Sequence, residues 1–275
     1  MQLDPHHATL SYHQAIHRID SALTKVFRRQ KDRAIARAGH LAKLRMFKSP
    51  DDDSSEYNPG LYAEEISNDI FEVYRELPPQ IRPALEDAML SGINTGILQL
   101  ELHDTKLIAA ANHIAADFAS ERAAELVGMK YDADGELVPN PNAEWAISDT
   151  TRDKIKRIVV EAFEGETKIG DVAAKIQEAL KVDEAGIFSD ARAKTIANTE
   201  VANSQAGGNW EVWKRSGLVK SVRWQTSNLE PCDECEDNKN VEVDFGEAFP
   251  SGDILPPAHP NCRCVLVAVK IGDDE

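Results

Sequence analysis

All four cysteines of this chain lie within 33 residues, as Cys232-x-x-Cys235 and, after a long gap, Cys262-Arg263-Cys264, and His259 is the only histidine after His113. A two-residue gap lets one turn carry both thiolates to a single ion, and on an extended chain Cys262 and Cys264 point to the same face. The fold must therefore bring two distant segments together. Five candidate ligands, Cys232, Cys235, His259, Cys262 and Cys264, compete for the four positions of a tetrahedral zinc site. Either the four cysteines bind, with His259 beside them, or His259 replaces one cysteine. Four protein ligands leave no position for an activated water, so the expected cofactor is a closed, structural zinc. The plain alternative is four reduced, buried thiols without a metal.

At 275 residues, 42% of them hydrophobic and 28% charged, the chain is long enough to bury a core without disulfides. No apolar run approaches the roughly 18 residues that would span a bilayer. Met1-Gln2-Leu3-Asp4-Pro5 lacks the basic stretch and apolar run of a secretion signal. The expectation is a soluble chain with no membrane partner, in a reducing compartment where thiols favour metal over disulfides. A formal charge of −16 opposes nucleic-acid binding over a broad face. The charge is uneven, however. Residues 1–48 hold ten Lys/Arg against three Asp, a net +7, which leaves −23 on the remainder. Such asymmetry reads either as a basic arm on an acidic body or as a solvated helix face.

Apolar residues Ile16, Ile19, Leu23, Val26 and Phe27 recur at helical spacing, which predicts a helix over 9–46 with a narrow stripe in need of a partner. Residues 1–60 thus read as a basic amphipathic arm followed by an acidic linker, and 61–147 as a helical domain broken at Pro78-Pro79. Leu85, Met89, Ile93, Ile97 and Leu100 form one stripe there, and Asp104 is placed to cap the next helix. Asp132-x-Asp134-Gly135 imitates part of a calcium loop without its remaining ligands, so a tight turn is expected. Beyond residue 148 three helices follow. The third begins near Ser189 or Asp190, carries Arg192, Thr199, Glu200, Asn203 and Ser204, and is expected to stop before Gly207-Gly208. Period-two alternation then marks strands at Val222, Trp224 and Thr226 and at Val265, Val267 and Val269. The fold class is α+β: a mainly helical N-terminal half, then C-terminal helices plus a small antiparallel sheet held by a Cys/His zinc clasp.

Acidic residues flank the knuckle (Glu230, Asp233, Glu234, Glu236, Asp237), which opposes phosphate contact there. Arg192, Thr199 and Asn203 share one helix face, with Glu200 and Ser204 beside them. That stripe is either a hydrogen-bond network, a solvated surface, or the centre of a zinc-dependent hydrolase or transferase using Arg192 and Glu200. No His-x-Glu precedes a Pro-Cys-x-x-Cys, which excludes a deaminase.

The run Arg192-Ala193-Lys194-Thr195-Ile196-Ala197-Asn198-Thr199-Glu200, Trp213 with Gly217, Val222-Arg223-Trp224, Cys232-x-x-Cys235, Phe249 and His259-Pro260-Asn261-Cys262-Arg263-Cys264 resembles the phage Mu protein F-like minor head domain. The resemblance spans 148–275 in the broadest reading and rests most on the final HPNCRC after CxxC. It implies a non-enzymatic phage head morphogenesis protein, a minor capsid component at the portal vertex that assists head assembly or genome delivery. Implied partners are the portal protein and/or the major capsid protein, and the implied location is the virion head, with the host cytoplasm during assembly. Residues 1–48 would then anchor the chain to portal or shell, with packaged DNA as a rival partner. A zinc-module adaptor unrelated to phage is a further alternative.

Overall fold

The computed structural model describes residues 10–46, 59–103, 105–143, 146–163, 169–183, 186–226 and 232–272. Among them are eight helices and two small antiparallel sheets, in the order α1 (Leu10–Met46), α2 (Pro59–Tyr74), α3 (Leu77–Leu100), α4 (Thr105–Glu125), β1 (Met129–Tyr131), β2 (Leu137–Pro139), α5 (Ile147–Phe163), α6 (Ile169–Val182), α7 (Asp190–Ser216), β3 (Val219–Gln225), α8 (Asp233–Asp237), β4 (Glu242–Asp244) and β5 (Val265–Lys270). None of these helices is long and apolar enough to cross a membrane. The α+β class expected from the sequence holds. Two units gather the chain, neither of them a single stretch. One draws on described residues within Met1–Asp20, Ile81–Ser120 and Lys194–Glu275, the other on Ser21–Gln80 and Glu121–Ala193.

In the second unit, α1 buries the stripe that its sequence announces, with Leu23 and Phe27 fully enclosed. Several of its polar residues are engaged within the chain. Arg29 pairs with Glu76 and Arg37 with Glu65, while Lys31 and Arg33 donate to the carbonyls of Lys181 and Asp69. Tyr62 Oη donates to Ala38 O at 2.6 Å and Gln177 to Ile35 O at 2.9 Å, which ties α2 and α6 to the same helix. Two arginines of α1 therefore meet acidic neighbours of their own chain.

The helix break expected at Pro78-Pro79 falls earlier, at residues 75–76, and both prolines sit in the first turn of α3. Proline is tolerated there because the first N–H groups of a helix have no partner in it. The expected tight turn joins the strands of the hairpin β1–β2, with Lys130 opposite Val138. Asp132 Oδ1 accepts from the backbone N–H of Asp134 and Glu136 at 3.0 and 2.9 Å, and Gly135 takes φ +80°. The aspartate thus closes a tight turn. Asp104, expected to cap the next helix, lies outside the described residues.

In the first unit, α7 does not stop at Gly207-Gly208 but continues to Ser216. The cause is a backbone crossing with α3. A Cβ on Gly208 would lie 2.3 Å from Met89 O, and one on Gly92 would lie 2.0 Å from Gln205 O. Only glycine allows such an approach, as in small-residue helix crossings generally. The sheet runs β4-β3-β5, all antiparallel, with Trp224 opposite Leu266. Trp213, Trp224, Phe249 and Leu266 pack with Cys235, Cys262 and Cys264 in one apolar cluster. The inward residues of β5 are Leu266 and Ala268.

Candidate metal centre

Cys232 stands in extended conformation before the single turn of α8, and Glu236 N–H donates to Cys232 O at 2.9 Å. That turn puts Cys232 and Cys235 on one side. Asn238 follows, fully buried. Its amide accepts from Ser251 N–H at 3.1 Å and donates to Ser251 Oγ at 2.8 Å, joining the knuckle to the loop that leads to His259. Trp224 of β3 secures the same corner, accepting from Asn240 N–H and donating to Val241 O. The knuckle is thus fixed to sheet and loop before any ion is considered.

All five cluster residues converge, as two overlapping triads. Cys232, Cys235 and His259 form one, and Cys235, Cys262 and Cys264 the other, with the ligand atoms of each triad within 4.8 Å of one another. Cys235 belongs to both. His259 Nε2 lies 3.0 Å from Cys232 Sγ and 3.2 Å from Cys235 Sγ, and Cys235 Sγ is 3.8 Å from Cys262 Sγ. A tetrahedron with zinc–sulfur bonds of about 2.3 Å has a sulfur–sulfur edge of about 3.8 Å. His259 Nδ1 is 2.9 Å from Pro260 O, which can only accept, so Nδ1 carries the proton and Nε2 presents its lone pair to the thiols. None of the four cysteines is in a disulfide.

The electrostatics fit the same chemistry. Burial pushes the Cys235 thiol up to about 12. Cys262 is raised as well, first through its hydrogen bond with Cys264 and then by burial, and that bond lowers Cys264. Cys235 and Cys262 therefore stay protonated at neutral pH unless a cation replaces their protons. A divalent ion would supply that charge, and thiolate and imidazole donors suit zinc. Such an ion would neutralise the thiolates and cross-link α8 to the 259–264 segment. Metal uptake should weaken as pH falls, because protons compete for the same sulfurs.

Arg192 is held by groups of its own unit. The Arg192 guanidinium donates to Ile187 O (2.6 Å), Thr151 Oγ1 (3.0 Å) and Ile147 O (3.1 Å), and lies 5.1 Å over the Phe27 ring. Thr151 gives its proton to Ile147 O, so Tyr74 Oη is the donor in the 2.8 Å bond between the two hydroxyls. Glu200 is buried on α7, its carbonyl accepting from Ser204 Oγ. Thr199 does something different, and it does so with two residues that helix-face reasoning passed over. Asn261 N–H donates to Thr199 Oγ1 at 3.0 Å, Asn261 Nδ2 to Thr195 Oγ1 at 3.2 Å, and Asn198 Nδ2 to Asn261 Oδ1 at 3.1 Å. Their i, i+3, i+4 spacing on α7 was the available signal.

Residues 153–267 match the family model described as Phage Mu protein F like protein. Over that segment the chain is similar to the Mu F-like family. All five cluster residues and the α7 contacts to Asn261 fall inside the matched segment. Comparison with curated proteins and with solved structures returned no match.

Proposed function

We propose that this protein is a phage head morphogenesis protein, a non-enzymatic minor capsid component at the portal vertex that assists head assembly or genome delivery. Its partners in this reading are the portal protein and/or the major capsid protein, and its zinc is a structural clasp held by four of Cys232, Cys235, His259, Cys262 and Cys264. The observation that carries the reading is the Mu F-like match over residues 153–267. Two features support the absence of catalysis: Arg192 commits three N–H groups to its own unit, and four protein ligands would close the ion to water. Contact of 1–48 with packaged DNA is the weaker partner reading, since several of its cations are held by acidic groups or carbonyls of the same chain. Symmetry-relaxed electron cryomicroscopy of intact heads tests the proposal. Density for this chain at one vertex is expected, and a uniform distribution over the shell would overturn it.

A further inference from the structure

We propose that Asn261, Thr195, Asn198 and Thr199 form a latch that sets the metal affinity of the cluster by positioning His259 and Cys262, and that metal binding in turn steadies this face of α7. The inference rests on reading the Cys/His cluster as a metal site. Asn261 lies between two of the candidate ligands and takes φ +61°, a left-handed conformation that turns the chain from His259 to Cys262, where Cys262 N–H donates to His259 O at 3.1 Å. Asparagine adopts that conformation more readily than most residues. The turn is held from outside. Thr199 Oγ1 gives its only proton to Thr195 O at 2.8 Å and so can face Asn261 N–H only as an acceptor. The Asn261 amide is bound at both ends, accepting from Asn198 and donating to Thr195. Each of these four bonds pairs a donor with an acceptor of the right kind. The turn carrying His259 and Cys262 is thus seated on a rigid helix instead of being free to sample other positions, and a ligand already in place need not be ordered when the ion arrives.

The residues of the latch are positioning residues, and metal affinity is the readout. Zinc competition with a chromophoric chelator on the full chain should show about tenfold weaker binding for Thr199→Val, with near-native binding for Thr199→Ser, which keeps the hydroxyl. Asn261→Gly retains the backbone conformation and the N–H donor but loses the amide bonds, and should fall between wild type and Asn261→Ala. The metal-free melting temperature of Thr199→Val should match that of metal-free wild type, whereas a merely structural role would lower both forms alike. Zinc should also slow amide hydrogen exchange at Thr199 and Asn261, as reciprocal coupling requires. If wild type takes up one zinc and Thr199→Val and Asn261→Ala bind it equally tightly, the latch is wrong and the metal site stands. A wild-type chain that takes up no zinc overturns both.

Discussion

Replacing Cys235 by serine is expected to cost more metal affinity than replacing Cys264. Cys235 is the one thiol shared by both triads, so its loss damages both of them, whereas loss of Cys264 damages one. A structural zinc contributes on the order of 10–16 kcal/mol in apparent binding energy, so one of four ligands carries about 3 kcal/mol, or roughly 100-fold in affinity. The damage reaches the fold, because Cys235, Cys262 and Cys264 pack in the same cluster as Trp213, Trp224 and Phe249. Chelation of the wild-type chain should therefore shift its tryptophan emission and lower its melting temperature, and Cys235→Ser should show both changes without chelator. Unchanged emission and melting after complete chelation would detach the clasp from the core.

The second large effect separates two adjacent glycines. Gly208→Ala should destabilise the protein by about 3 kcal/mol or more, because the added methyl meets the α3 backbone and neither helix can yield locally. For a chain of this size that corresponds to a fall of roughly 6–12 °C in Tm. Gly207→Ala should be neutral or stabilising. The nearest atom to a Cβ there is Phe118 Cε2 at 3.9 Å, an ordinary contact, and alanine recovers about 1 kcal/mol of helix propensity. Thermal denaturation of the two variants side by side decides the matter, and equal melting temperatures would contradict the crossing of α3 and α7.

These two glycines also mark where reasoning from sequence ran out. Propensity reads Gly207-Gly208 as a stop, but its cost is local and modest, whereas the α3 contact that outweighs it involves residues more than a hundred positions away. Long periodic segments were legible: α1 spans Leu10–Met46 against an expected 9–46, and Leu85, Met89, Ile93 and Leu100 are all buried on α3. Short strands were not. Three-residue β1, β2 and β4 show too little alternation to announce themselves, and β4 is the charged stretch Glu242-Val243-Asp244. At the metal centre the five donors could be named because cysteine and histidine spacing is restricted by chemistry. Thr195 and Asn198 could not, since their partner Asn261 is brought to them only by the tertiary fold. The charge balance of residues 1–48 is plain in the sequence, yet it does not say which acidic side chain each arginine meets; Arg18 finds Asp87 and Arg29 finds Glu76.

One structural zinc is expected to close the segment that is similar to the Mu F-like family. Metal content of the chain purified without chelator, read by inductively coupled plasma mass spectrometry together with thiol titration, tests it most directly. One zinc per chain is expected, with Cys235 and Cys262 unreactive until the metal is removed. A metal-free chain whose melting temperature does not respond to added zinc would contradict the account.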